Sequence, residues 1–129
     1  MTEPVRLIRA AELRPADPTP GMTREAAVVS GALWSGLVHT DAGAVSGWHH
    51  HGEHQTSLYV VRGRMRLEFG PGGADVAEAG PGDFLHVPPY AVHRESNPAG
   101  ERSTAVIARA GQSVVTVNVA EPEPGPAEG

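Results

Sequence analysis

The chain contains no cysteine. A disulfide framework and a thiolate-bound metal are thereby excluded. Any metal must be held by imidazole, carboxylate or amide groups, a donor set that suits Zn, Fe, Mn, Ni or Cu rather than an iron–sulfur cluster. Long apolar runs are also missing, and none approaches the roughly 20 residues that cross a bilayer. The first residues lack a signal-peptide pattern, so a soluble, cytoplasmic protein with no membrane partner is expected. Only 19% of the 129 residues are charged, the net charge is −5, and the basic residues are scattered singly. Nucleic acid would need a clustered basic footprint, so no nucleic-acid partner is expected. An apolar share of 40% suits one globular domain with one modest core.

Glycine and proline are plentiful instead, at 16 and 12 residues. They punctuate short apolar runs: "AAVVS" at 26–30, "LWSGLVHT" at 33–40, "SLYVVRG" at 57–63, "RMRLEFG" at 64–70, "DFLHVP" at 83–88, "STAVIARA" at 103–110 and "SVVTVNVA" at 113–120. Short runs separated by turn signals indicate an all-β sandwich or barrel. No window longer than about ten residues keeps a clean helical period without Gly or Pro, and only "RAAEL" near residue 10 can form a helical turn.

Within 64–69, Met65, Leu67 and Phe69 share one face, and Arg64, Arg66 and Glu68 the other, as in a half-buried strand. Leu58-Tyr59-Val60-Val61 is apolar on both faces, so both need cover. A partner subunit or the N-terminal arm would supply it, and a homodimer is expected. Residues 1–24 read as an arm, extended over the proline-rich "RPADPTPG", residues 25–119 as the barrel, and residues 120–129 as a disordered acidic tail.

The stretch "HHHGEHQ" at 49–55 places four of the seven histidines within seven positions. On an extended chain His49 and His51 project to one face and His50 to the other. Two imidazoles at i and i+2 can grip one ion, with bonds of about 2.0–2.2 Å setting their approach. A solvated polar loop is the competing reading of an isolated "HxH". Gln55 and His54 lie close by, and a distant candidate, His93, follows the Pro-Pro corner in "GPGDFLHVPPYAVHRESN".

These residues resemble the two motifs of a small single-domain cupin. Gly43-x5-His49-x-His51, closed by Gly63, is similar to the first motif, G-x5-H-x-H-x(3–4)-E-x6-G. Gly82-x5-Pro88, then His93 and Asn97, matches the second, G-x5-P-x-G-x2-H-x3-N, with Tyr90 where the family has glycine. The resemblance implies a double-stranded β-helix, or jelly-roll barrel, with one divalent transition metal bound inside by His49, His51 and His93. The family's glutamate ligand has no direct counterpart. The spacing from His51 offers Gln55, whose amide oxygen can coordinate and which is expected as the fourth ligand. The spacing to Gly63 offers Thr56, whose strand phase points inward with Leu58 and Val60, and His54 is a third option. A one-residue bulge would reconcile the first two. An amide in place of the carboxylate would leave the site one negative charge poorer and the ion a stronger Lewis acid.

Other residues take plainer roles. Trp34 and Trp48 are expected as core or pocket wall, and His86, on the face of Phe84, as a pocket residue rather than a ligand. Tyr59, Arg94 and Glu95 would border a pocket mouth, Arg64 and Arg66 would solvate an outer face, Asp83 would make a turn, and His39 has no assignable role. The expected function is a metal-dependent protein acting on a small polar molecule in the barrel, by Lewis-acid or O2-dependent chemistry such as that of a dioxygenase, isomerase or cyclase. The alternative is a non-catalytic small-ligand-binding or sensing barrel.

Overall fold

Each apolar run between glycines and prolines contains a strand in the computed structural model, which describes residues 2–111 and 116–125. The strands are β1 (Arg14–Pro15), β2 (Met22–Ser30), β3 (Leu33–Thr40), β4 (His49–His50), β5 (Gln55–Arg62), β6 (Met65–Phe69), β7 (Asp75–Ala79), β8 (Phe84–Val87), β9 (His93–Ser96), β10 (Ser103–Ala110) and β11 (Val117–Asn118). Short 3-10 turns at Ala10–Glu12 and Pro71–Gly73 complete the elements. The first lies where "RAAEL" predicts a helical turn. All strand pairings are antiparallel, in a six-stranded sheet of order β1-β2-β3-β10-β5-β8 and a five-stranded sheet of order β11-β4-β9-β6-β7. Together they form the expected jelly roll.

The period-two pattern decides which side chains enter the barrel. On β10, Ser103, Ala105, Ile107 and Arg109 are buried and the residues between them are more exposed. On β5, Thr56, Leu58 and Val60 turn inward. Met22, Val38, Leu58, Val60, Met65, Leu67, Ala79, Val87, Ala105 and Ile107 form the core, with Trp34 and Leu85 packed against it. Burying a side chain such as Val60, which is 0% exposed, contributes about 1.5–3 kcal/mol. Phe69, expected to face inward with Met65 and Leu67, is exposed at the end of β6.

Two local devices position the loops around the barrel. Gly63 turns β5 into β6 at φ +81°, where a Cβ would lie 2.9 Å from the backbone of Ser103. Asn97, at the end of the second motif, clamps a loop: its Nδ2 donates to the carbonyls of Thr40 and Glu101, and its Oδ1 accepts from the Ala99 amide. That role is structural.

The barrel's first long strand begins at Met22, a core residue, within the span assigned to the arm. The arm extends the sheet edge, with Arg14 and Pro15 paired to Ala26 and Glu25. It therefore does not cover the outer face of β5, where Tyr59 and Val61 are exposed beside Phe84 and Val106. Residues 113–115 of the last run lie outside the described residues, as do residues 126–129 of the tail. Residues 121–125 have no regular structure, and Glu123 O accepts from the Gly72 amide at 2.8 Å. Among the described residues no helix is long and apolar enough to cross a membrane.

Candidate metal centre

His49 on β4 and His93 on β9 are direct register partners across two antiparallel strands. His51 follows β4 and turns to the same side as His49, while His50 faces away, as alternation requires. Two residues beyond His93 on β9, Glu95 is brought to the same face by the same period. The ligand atoms of His49, His51, His93 and Glu95 all lie within 4.8 Å of one another, and all four residues are buried. The ring centroids are 4.4 Å apart for His49 and His93, 5.0 Å for His49 and His51, and 5.3 Å for His51 and His93.

Backbone carbonyls orient two of the rings. Nδ1 of His49 donates to Gly47 O at 2.9 Å, and Nδ1 of His93 donates to Ala91 O at 2.8 Å. A carbonyl can only accept, so each Nδ1 carries a proton and Nε2 is the atom turned to the cluster. Both Nε2 atoms converge on one oxygen of Glu95, at 3.2 Å from His93 and 3.5 Å from His49. In neutral imidazoles these Nε2 atoms offer lone pairs. Three such rings and one carboxylate form a donor set suited to a divalent transition ion.

Burial acts first on the charges here. It disfavours protonated His49, but the hydrogen bond and charge of Glu95, together with Gly47 O, outweigh it and raise the pKa. His51 is pushed down to about 4, by burial and then by the positive charges of Arg109, His49 and His93. Burial alone would raise Glu95, yet hydrogen bonds from His49 and His93 hold its carboxyl well below the usual carboxylate range. A neutral His51 and an ionised Glu95 are the forms that bind metal.

The structure does not bring Gln55 into this cluster. Gln55 is exposed, and its Oε1 lies 3.0 Å from Nε2 of His86 on the neighbouring β8. The register between β5 and β10 is regular through this stretch and shifts only between Thr104 and Ala105, so no bulge turns Gln55 inward. Thr56 does point into the barrel, where its hydroxyl accepts from Nε of Arg109 at 3.2 Å. His54 is buried elsewhere, with Nδ1 3.3 Å from Ala110 O. The carboxylate beside the imidazoles is Glu95, which corrects the expectation of a charge-poor site. Sequence reasoning placed Glu95 at a pocket mouth, although His93-x-Glu95 carries the spacing that singled out His49-x-His51.

The remaining residues divide between wall and surface. Trp48 is buried beneath the Arg94 guanidinium, 4.7 Å from its ring, and Arg94 also bonds Glu68. Arg64 pairs with Glu78 on the exterior, and Asp83 closes its turn by accepting from the Gly80 amide. His39 bonds Glu25 and Thr104. Trp34 lines a cavity of about 680 Å³ that reaches His49 and His51 from the side of the arm, with Arg24, Arg109, Ser46 and Asn118 among its walls. A smaller recess of about 10 Å³ lies deeper, between His51, His93, Glu95, Thr56 and Leu58. That is close to the roughly 10–15 Å³ needed by one water-sized body.

Comparison with known proteins agrees with this architecture. No curated protein sequence matches the chain. Among solved structures it resembles KdgF from Halomonas sp., with a TM-score of 0.72, 24% identity, and coverage of 85% of this chain and 96% of that one. An uncharacterized conserved protein with a double-stranded β-helix domain from Klebsiella pneumoniae matches with a TM-score of 0.71, 19% identity, and coverage of 92% and 100%. Oxalate decarboxylase from Bacillus subtilis, a protein with Mn(II) centres, matches with a TM-score of 0.69 and 23% identity, over 86% of this chain and 31% of that one. At these identities the likeness concerns the fold. The model of the cupin domain matches residues 36–116, more than half of the sequence and all of the candidate centre, and the chain belongs to the cupin family.

Proposed function

We propose that this cupin holds one divalent transition ion through His49, His51, His93 and Glu95 and acts on a small polar molecule bound beside it. The observation that carries the reading is the convergence of four buried donor atoms within 4.8 Å of one another, two of them on residues, His49 and His51, that line a cavity large enough for a small organic molecule. A bound ion would supply Lewis acidity, or O2 chemistry if it is redox-active.

The chain's own residues prepare the site for such a ligand. The Gly47 and Ala91 carbonyls fix the rings of His49 and His93, so little ordering is left for the moment of binding. Glu95 brings the one negative charge, and its desolvation is compensated by the imidazoles around it. Leu58, Met65, Val87 and Ile107 line the deep recess and limit water there, which strengthens electrostatic contacts with whatever is bound. The Mn(II) centres of the structurally similar oxalate decarboxylase are consistent with this choice of ion class.

The test is metal uptake by protein purified without a histidine tag. About one ion per chain, with a rise in melting temperature on adding Zn, Ni, Mn or Fe(II), is expected, since an ion that binds only the folded state stabilises it. A chain that stays metal-free after incubation at neutral pH would overturn the reading. For the exposed face of Tyr59, Val61, Phe84 and Val106 we propose a second copy of the chain as the cover. A monomer in light scattering at micromolar concentration would remove that part.

A further inference from the structure

Two arginines stand on the inner face of the barrel. On β10, Arg109 continues the buried series Ser103, Ala105 and Ile107 and is itself only 8% exposed. On β2, Arg24 lies between Met22 and Ala26, both buried, and shares their face. Period-two patterning reserves both positions for side chains of the core. An apolar residue at 109 would complete the stripe.

Both arginines border the recess that holds His51 and Glu95, and both also border the larger cavity outside it. Arg109 is the register partner of Trp34 on one side and Thr56 on the other. Its guanidinium lies 5.7 Å from the centre of the Trp34 ring, and its Nε donates to the Thr56 hydroxyl. Arg24 donates to Asp17 O and to the Thr19 hydroxyl. Among the described residues neither guanidinium has a carboxylate within ion-pair distance. Of the carboxylates that line the two cavities, Asp17 is exposed at the rim and Glu95 has its Oε1 engaged by His49 and His93.

A cation taken out of water without a counter-ion is costly. Burial lowers the pKa of Arg109; the charge of Glu95 opposes it, and repulsion from Arg24 adds a smaller push downward. A guanidinium stays charged under such pressure, so the cost remains until an anion arrives. Trp34 and Thr56 hold the guanidinium in place, which leaves its terminal NH2 groups as a planar fork for a carboxylate.

We propose that the molecule bound in this barrel is a small carboxylic acid bearing a second oxygen donor, with its carboxylate on Arg109 and Arg24 and the second oxygen toward the His49–His51–His93–Glu95 cluster. This rests on the metal reading for the second oxygen only. The arginine pair selects for charge, and the cluster selects for the neighbouring hydroxyl or oxo group.

The experiment uses zinc-loaded full-length protein titrated with lactate, malate and the neutral lactamide, read by tryptophan fluorescence. Both acids are expected to bind at least about ten-fold more tightly than the amide, since charge-assisted hydrogen bonds are at stake. Arg109→Gln should weaken the acids roughly ten- to a hundred-fold and lactamide much less, with zinc stoichiometry unchanged. Arg109→Lys keeps the charge, loses the fork and should fall between. Arg24→Gln, with a less buried side chain, should give a smaller loss in the same direction and serves if Arg109→Gln does not fold. Acids that bind no more tightly than lactamide, or that bind these variants as well as the wild type, would overturn the proposal. Zinc uptake without preference for the acids would leave the metal reading standing alone. Arginine-dependent binding of acids by a chain that takes up no ion would sink the metal reading and support this one.

Discussion

Thr56 and Arg109 face each other across β5 and β10, joined by a hydrogen bond from the guanidinium to the hydroxyl. By its spacing to Gly63, Thr56 occupies the place of the glutamate ligand in the motif this chain resembles. That position holds a hydroxyl bonded to a cation, and the carboxylate that stands with the imidazoles lies two residues beyond His93. The negative charge of the cluster therefore comes from β9, and the inner face of β10 carries a cation.

The ligand set is the first consequence to check. His49→Ala, His51→Ala, His93→Ala and Glu95→Gln should each weaken metal binding by more than the roughly 10–100-fold typical of losing an outer-shell partner. His50→Ala, Gln55→Ala and Gln55→Glu should leave the isotherm unchanged, because those side chains lie outside the cluster. A fall with Gln55→Ala matching that with His93→Ala would contradict the geometry.

Acid should weaken the metal-free protein through His51. Its pKa falls from 6.5 when unfolded to about 4 when folded, so the folded state binds fewer protons between those values. The contribution of about 3 kcal/mol is fully present above pH 6.5 and lost as the pH drops toward 4. Glu95, held low, acts in the same direction once the pH falls below its unfolded value, whereas raised His49 stabilises at low pH and loses that effect as pH rises. Denaturant melts at pH 7 and 4.5 should therefore show a smaller acid loss in His51→Ala than in the wild type. An equal loss would argue against a neutral buried His51.

Tyr90 carries a backbone cost. It is the one non-glycine residue with positive φ, at 60°, among the described residues, and it is 65% exposed. The left-handed region costs an L-residue about 1–2 kcal/mol, and glycine gives back roughly 0.5–1 kcal/mol through the unfolded chain. Tyr90→Gly should therefore stabilise the fold by about 0.5–1 kcal/mol in thermal or chemical melts. A loss would show that the ring, 6.0 Å from that of His50, contributes more than the strain removes.

Gly63 should tolerate no side chain. Gly63→Ala places a Cβ against the Ser103 backbone at φ +81°, and a loss of about 1–3 kcal/mol is expected from the backbone term before the contact is counted. An unchanged melting midpoint would mean that the turn between β5 and β6 shifts without cost.

Much of this protein was legible in its residues taken in order. Gly and Pro end runs wherever they fall, so the strands from Leu33 to Thr40 and from Ser103 to Ala110 appear at the bounds that the sequence suggests. Alternation, a property of any extended chain, settled that His49 and His51 share a face and His50 does not. What local rules leave open is which strands become neighbours. The pairing of β4 with β9 sets His49 opposite His93 and carries Glu95 into the cluster, whereas Gln55, nearer in sequence, is turned outward by the phase of β5. The inward place of Arg109 was written in the alternation of Ala105, Ile107 and Arg109, but only the packing of β10 between β3 and β5 shows that no carboxylate meets it within ion-pair distance among the described residues. Charge compensation depends on distances across the barrel, and those are set by long-range pairing rather than by any stretch of sequence.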